Sequence, residues 1–245
     1  SDRKGRLIVM LASREKISIR QAVMIFLMFV HTTTIRLLPS VIAKEGKQAG
    51  WLAPILATLP FICLVYIIQA LFKNHKEANL SDIIFNTLGR VVGTVLLILY
   101  LIWMMISLGL FVRNFAERFL ASMLPNTPLN FFTVTILAVV FFASQGGIVY
   151  VSRTVEFLFL GFSAIFVILF LLTIPNIEVI NLFPVTHYDI LPLIKSSYFN
   201  AGLWCAFTFT FFFGDKINDK EHIKRFGLQA TVYLVVITLM ILIQT

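Results

Sequence analysis

Trp51–Phe72 reads WLAPILATLPFICLVYIIQALF, a stretch of 22 residues without a charge, closed by Lys73. An α-helix needs roughly 20 apolar residues to cross the hydrocarbon core of a bilayer. Inside lipid, every backbone N–H and C=O must find a partner within the protein, which a helix provides by itself. This run decides the class: an all-α integral membrane protein.

Six more apolar runs flank it. Together they predict about seven spans, near 18–43, 51–72, 92–112, 131–144, 155–174, 199–214 and 226–245. They form one transmembrane bundle over 18–245, preceded by a polar, basic segment over 1–17. Composition agrees. Hydrophobic residues make up 59% of the chain, charged residues 13%, and mean hydropathy is +0.92. A soluble domain carries about 25% charged residues, so this surface is not built for water.

Local signals mark the ends of the runs. Asn79-Leu80-Ser81-Asp82 reads as a helix start, within a polar connector over 73–91. The third helix is expected to continue through Arg113, Glu117 and Arg118 to Met123. Leu124-Pro125-Asn126-Thr127-Pro128 then stops it, because proline cannot continue a helix. Gly146-Gly147 closes the fourth run and Pro175-Asn176 the fifth, and a connector over 176–197 precedes the sixth. Leu7–Ala12 is too short for the apolar core of a signal peptide, so the first span is expected to act as an uncleaved signal. The seventh run reaches Thr245 with no polar tail, which predicts a chain cut short relative to its relatives.

With seven spans the connectors alternate sides. Placing the N-terminus inside puts fourteen of the twenty Lys and Arg on that side and five on the other, with Arg36 inside a span. This asymmetry predicts a cytoplasmic N-terminus, and it explains the net charge of +8 better than nucleic-acid binding does.

The first span is interrupted by His31-Thr32-Thr33-Thr34-Ile35-Arg36, with Pro39 beyond. Polar groups at that depth need internal partners. Either the threonine hydroxyls bond back to helix carbonyls, or the helix is broken there and free N–H groups meet an anionic ligand group. His31 is a packing residue or a ligand-facing, proton-linked one. Arg36 lies toward the outer end and either snorkels or serves a vestibule or ion pair. The sixth run is short and carries Phe207, Thr208, Thr210 and Phe211. Interrupted segments at corresponding places in two halves point to a transporter binding site. The first and sixth spans correspond if the repeat is five helices long.

Other pairs read more plainly. Arg113 and Glu117 are four apart and suit an exposed ion pair, and Arg153 with Glu156 invites the same reading. Gly89 and Gly93 suit a close helix contact. Cys63 and Cys205 lie in apolar runs and are expected to pack. Nothing forms a catalytic set, a phosphate loop or a metal cluster, with His31, His75, His187 and His222 scattered. No enzyme, cofactor or metal is expected.

Several short patches, in order and spacing, resemble one family. They are Lys16-Ile17-Ser18-Ile19-Arg20-Gln21, Leu38-Pro39-Ser40, Ala43-Lys44-Glu45, Gly50-Trp51, Arg113-Asn114-Phe115-Ala116-Glu117, Leu124-Pro125-Asn126-Thr127-Pro128, Arg153-Thr154-Val155-Glu156 and Asn181-Leu182-Phe183-Pro184-Val185. The chain is similar to the spore-germination permeases, the B subunits of nutrient germinant receptors, within the amino acid–polyamine–organocation superfamily. The resemblance implies a LeuT-like bundle of two inverted five-helix repeats, ten helices in all, with the first and sixth broken near the midplane. A small amino acid would bind between them, at His31, Thr32, Thr33, Thr34, Phe207, Thr208, Thr210 and Phe211. Relatives tend to carry glycine at the first break, where this chain has Thr32-Thr33-Thr34, so an altered or smaller pocket is implied.

Three functions follow as expectations. The first is a receptor subunit of the cell membrane or spore inner membrane that senses an amino acid, with a larger membrane A subunit and a lipoprotein C subunit as partners. The second is an amino-acid permease working by alternating access. The third is a shortened structural subunit that binds nothing.

Overall fold

The structure, a computed structural model, describes residues 16–75, 77–123, 126–177, 183 and 186–244. Of the expected N-terminal segment, residues 1–15 lie outside that set, as do Leu124, Pro125 and most of the Asn181–Val185 patch.

The described residues form seven α-helices: α1 Ile19–Gly46, α2 Ala53–Asn74, α3 Leu80–Met123, α4 Leu129–Ser144, α5 Gly147–Thr173, α6 Ile190–Trp204 and α7 Ile223–Ile243. Tighter 3₁₀ pieces join or extend them, the longest being Cys205–Lys216, which continues directly from α6. Strand-like pairing among the described residues is confined to one parallel bridge, Ile17 with Ile217. Four stretches are long and apolar enough to cross a bilayer: Ile19–Asn74, Leu80–Met123, Gly147–Asn176 and Lys220–Ile243, with Leu129–Ser144 a shorter apolar helix. This is a helical membrane protein.

Several boundaries fall where local chemistry puts them. Ser18 caps α1, accepting from the Gln21 N–H, while the Gln21 side chain accepts from the Ser18 N–H. That reciprocal box satisfies two of the orphan donors of a helix start. α3 begins at Leu80 and runs to Met123. Its sharp bend lies at Gly89, where φ is +76°, a conformation that costs glycine almost nothing. A Cβ on Gly93 would lie 2.9 Å from the Phe85 ring of the same helix. The Gly89/Gly93 pair thus makes the bend of α3 rather than a contact between helices.

Two expectations about the helices need correction. The first helix is not broken: α1 runs from Ile19 to Gly46 through all three threonines and Pro39. The hydroxyls return to the helix's own carbonyls. Thr32 donates to Met28 and Phe29 (3.1 and 3.0 Å), and Thr33 to Phe29 (2.9 Å). The polar run is therefore internally satisfied, apart from Thr34, and needs no unwinding. The sixth helix does change form, but it starts earlier than its apolar run. α6 begins at Ile190, with Pro192 tolerated in the first turn, and α geometry ends at Trp204.

The chain divides into two compact units, 1–79 with 152–245, and 80–151. The first holds the core. Phe26, Phe61, Trp204 and Phe207 are all buried. Their ring centroids lie 5.0–5.8 Å apart, Phe26 stacked on Phe61 and the other pairs edge to face, tying α1 and α2 to α6 and its extension. Leu38, Ile42, Ala53 and Leu242 close the end away from Ile17. In the second unit, α3 and α4 meet through stacked Phe119 and Phe132 (4.8 Å), and Arg113 pairs with Glu117 (2.7 Å) as its spacing predicts. Most apolar side chains there are exposed, Val91 and Phe142 among them, as suits helices whose solvent is lipid. Cys63 and Cys205 are exposed rather than packed, and neither forms a disulfide.

Candidate functional site

Polar groups in the first unit sort into three levels along the bundle. At one end the chain gathers charge. Ile17 bonds across the 216–218 segment, donating to the Lys216 carbonyl (2.8 Å) and accepting from the Asn218 N–H (2.8 Å). One turn on, Arg20 pairs with Glu156, and the Gln21 amide donates to the same carboxylate (3.1 Å). Glu156 thus serves α1, where its sequence neighbour Arg153 had been the expected partner. Lys220 is buried, donates to the Ala78 carbonyl (2.9 Å) and lies over the Phe72 ring. Lys224 covers Tyr66. A cavity of about 470 Å³ opens beside them, lined in part by Lys16, Lys73 and Lys220.

At mid-depth, His31 of α1 is buried and its Nδ1 bonds the Tyr233 hydroxyl of α7 (2.8 Å). That hydroxyl also bonds Ser163 of α5 (2.9 Å). The ring of Phe166 meets the imidazole edge to face. One histidine, one tyrosine and one serine thereby link three helices. His31 faces this relay, and its ring contacts lie with Tyr233 and Phe166 on α7 and α5.

The core also holds buried polar atoms that have no hydrogen-bond partner among the described residues. They are the Thr34 and Thr238 hydroxyls, both amide atoms of Asn200 and the Trp204 indole N–H. Helical spacing places them. Thr34 is four residues before Leu38, and Thr238 four before Leu242, so each lies one turn inside the same cluster. Asn200 and Trp204 share one face of α6, and Leu193 and Leu203 of α6 pack on that cluster too. Buried amides and hydroxyls are normally paired, and each one left unpaired costs about 1–3 kcal/mol. Four such residues make up the unpaired polar level of the core, spread over at least a turn of helix.

The residues singled out from sequence divide accordingly. Thr34 joins this set. Thr33 is buried but satisfied, Thr32 points outward, and Arg36 is half-buried. Phe207 and Phe211 are buried about one and two turns beyond Trp204, in ring contact with each other (5.1 Å). Phe207 also meets Phe26 of α1 (5.0 Å), and Phe211 meets Phe72 of α2 (5.2 Å). Thr208 and Thr210 donate to the carbonyls of Cys205 and Phe207. The structure thus brings α1 and the sixth segment together through aromatic rings, with Asn200, Trp204, Tyr233 and Thr238 added to the polar set. Asn200 was the residue most open to discovery. It is a carboxamide beside an apolar run, but reading the run from Phe199 put it at the membrane edge. With the helix starting at Ile190, it lies about 15 Å in.

An all-helical membrane bundle with a buried polar level is the class that fold and site define. A family model of the spore germination proteins matches residues 16–245, and the chain belongs to that family. Among curated proteins it is similar to Spore germination protein KB of Bacillus subtilis (strain 168), 24% identical over 223 residues, covering 89% of this chain and 58% of that protein. It is also similar to Spore germination protein A2 of the same organism, 22% identical over 203 residues, covering 82% of this chain and 56% of that one. The Putative spore germination protein YfkT matches at 21% over 164 residues, covering 67% of this chain and 45% of its own length. The chain spans about half the length of these relatives. No solved structure matches it.

Proposed function

We propose that this chain is a membrane subunit of a spore nutrient germinant receptor that senses a small amino acid and triggers germination. The observation that carries this reading is the unpaired polar level formed by Thr34, Asn200, Trp204 and Thr238. A zwitterionic amino acid needs acceptors for its ammonium and donors for its carboxylate. The Asn200 amide offers both, the two hydroxyls offer either, and the indole donates. The surrounding wall is aromatic and apolar, so these few polar groups would fix orientation and specificity. Binding would then stabilise one conformation over another by its differential affinity.

The same proposal includes the finer architecture. α1–α5 are the first repeat of a LeuT-like inverted pair, and α6 and α7 begin the second. The N-terminus faces the cytoplasm, supported by the basic residues gathered around Ile17 and Ile217. A larger membrane subunit and a lipoprotein subunit complete the receptor.

The test is thermal unfolding of the full chain in detergent with each common L-amino acid added singly. At least one should raise the midpoint of the wild type, and Thr34→Val and Asn200→Leu should each remove that rise. An equal rise in all three proteins would place the ligand elsewhere. Concentrative uptake of the same amino acid into proteoliposomes would make the chain a permease instead of a sensor.

A further inference from the structure

Cys205–Lys216 is a 3₁₀ segment kinked at Phe213, whose φ of −94° and ψ of 23° are not helical, so its unbroken 3₁₀ part is residues 205–212. Runs longer than three or four residues are uncommon in this geometry, because its hydrogen bonds are poorer and side chains three apart eclipse. The sequence of this leg does not suit it. A 3₁₀ face would bury positions 207 and 210 and turn position 211 away. Instead Phe207, Thr210, Phe211 and, past the kink, Gly214 are all buried. Spacings of three, four and seven from Phe207 are those of an α-helix. An α-helical pattern therefore sits on a 3₁₀ backbone.

The two forms differ in length. A 3₁₀ helix rises about 2.0 Å per residue and an α-helix about 1.5 Å, so α geometry over the residues before the kink at Phe213 would shorten the leg by about 4 Å. Both ends of the leg are held. Its start continues α6, just past Asn200. Near its end, a Cβ on Gly214 would lie 3.0 Å from the Ala78 carbonyl and 3.1 Å from the Phe72 ring, so this residue is seated tightly after α2. Directly beyond, Lys216 and Asn218 hold Ile17 by two backbone hydrogen bonds. Three residues past Ile17, Arg20 holds Glu156 of α5.

We propose that the Cys205–Lys216 leg is a two-state spring: it shortens by taking α geometry, and the Ile17–Ile217 pairing carries that shortening to the start of α1. The Arg20–Glu156 pair and the Gly214 seat resist it, and their release marks the second state. The link to signalling rests on the reading that an amino acid binds beside Asn200 and Trp204, directly above the leg.

The experiment uses the full chain in lipid nanodiscs, with Cys63→Ser and Cys205→Ser so that only introduced cysteines carry spin labels. One pair, Gly202→Cys with Asn218→Cys, spans the leg at two exposed positions. A second, Lys16→Cys with Arg153→Cys, spans from the start of α1 to α5. Thr208→Ala biases the leg toward α geometry, since alanine is the best helix former, and Thr208→Leu is the alternative should the first fail to fold. In either variant, electron double resonance should show a population about 4 Å shorter across the leg, with the second distance changing in the same samples. An unchanged leg distance in a folded variant overturns the spring. A shorter leg with a fixed second distance overturns its transmission through Ile17. If the variants shift and no common L-amino acid shifts the wild type, the spring stands and the sensing proposal fails.

Discussion

Asn200→Leu should make the ligand-free protein more stable while removing its response to amino acids. Leucine has the same branched skeleton as asparagine, so the substitution changes polarity with little change of shape. Both amide atoms of Asn200 are buried and have no hydrogen-bond partner among the described residues. Mutational data put the cost of one such unsatisfied group at about 1–3 kcal/mol. Leucine removes that cost and adds apolar contact with a core that already holds Leu193 and Leu203 on the same helix. Taking one amide as the unit, the gain is about 1–3 kcal/mol. For a chain of 150–250 residues each kcal/mol moves the midpoint by about 2–4 °C, so a rise of roughly 2–12 °C is expected. The assay is thermal unfolding of the full chain in detergent, followed by tryptophan fluorescence, with Trp204 one turn away as a local reporter. Asn200→Ala is the control: it removes the amide but leaves a void, so it should gain less than leucine. A lower midpoint for Asn200→Leu would show that the amide is paired in the protein, and the polar level would lose its strongest member.

Three further outcomes are expected. Tyr233→Phe removes the hydroxyl shared by His31 and Ser163. Hydrogen bonds between helices in membranes average about 0.6 kcal/mol, so a loss of about 1 kcal/mol is expected in unfolding by denaturing detergent, and no loss would mean the relay does not hold the helices. Gly227→Ala would set a Cβ 2.6 Å from Val65 Cγ1 where α7 crosses α2. Overpacking of that kind costs about 1–3 kcal/mol, visible in the same assay. Asp189 accepts from the Thr186 N–H and hydroxyl (2.8 Å each), and the backbone bond, followed by the hydroxyl, holds its carboxyl below the usual value. A depressed carboxylate stabilises the turn above the ordinary aspartate pKa of about 3.9. That support is lost as pH falls below it and through the folded value, so the protection of the Asp189 amide against hydrogen exchange, taken relative to its intrinsic rate at each pH, should fall in acid and stay constant near neutrality.

Much of the fold was legible because lipid leaves the backbone few choices. Trp51–Phe72 could only be a helix, and Asn79-Leu80, Met123 and the two glycines at 146 and 147 marked ends that the structure keeps. What escaped the sequence depends on partners distant along the chain. Glu156 looks toward Arg153 when read locally, yet its carboxylate is taken by Arg20 and Gln21, 136 and 135 residues away. Gly89 and Gly93 have the spacing of a helix contact, but only the backbone dihedral at Gly89 shows that they bend one helix. The polar level was half visible. Thr34 stood out as one of three threonines in an apolar run, and nothing local distinguishes it from Thr33. The difference is that Thr33 reaches the Phe29 carbonyl and Thr34 has no such bond.

The two polar-interrupted segments meet the same demand at different pitch, and this makes the spring energetically feasible. In α1, Thr33 donates to the carbonyl four residues back, and Thr32 divides its donor between the carbonyls four and three back. In the leg, Thr208 and Thr210 both donate to the carbonyl three residues back. A threonine hydroxyl can serve either carbonyl, so a change of pitch lets Thr208 move from Cys205 to Trp204 and Thr210 from Phe207 to Ala206 without losing a bond. The backbone likewise exchanges one ladder of internal hydrogen bonds for another, and lipid requires that none be left open at any stage. The buried face already has α spacing, so α geometry would gather Phe207, Thr210 and Phe211 on one side. The cost of conversion then lies mainly at the ends, in the Gly214 seat and the Ile17 pairing. Those ends are where a ligand bound above the leg, or a change at the Arg20–Glu156 pair below it, can tip the balance.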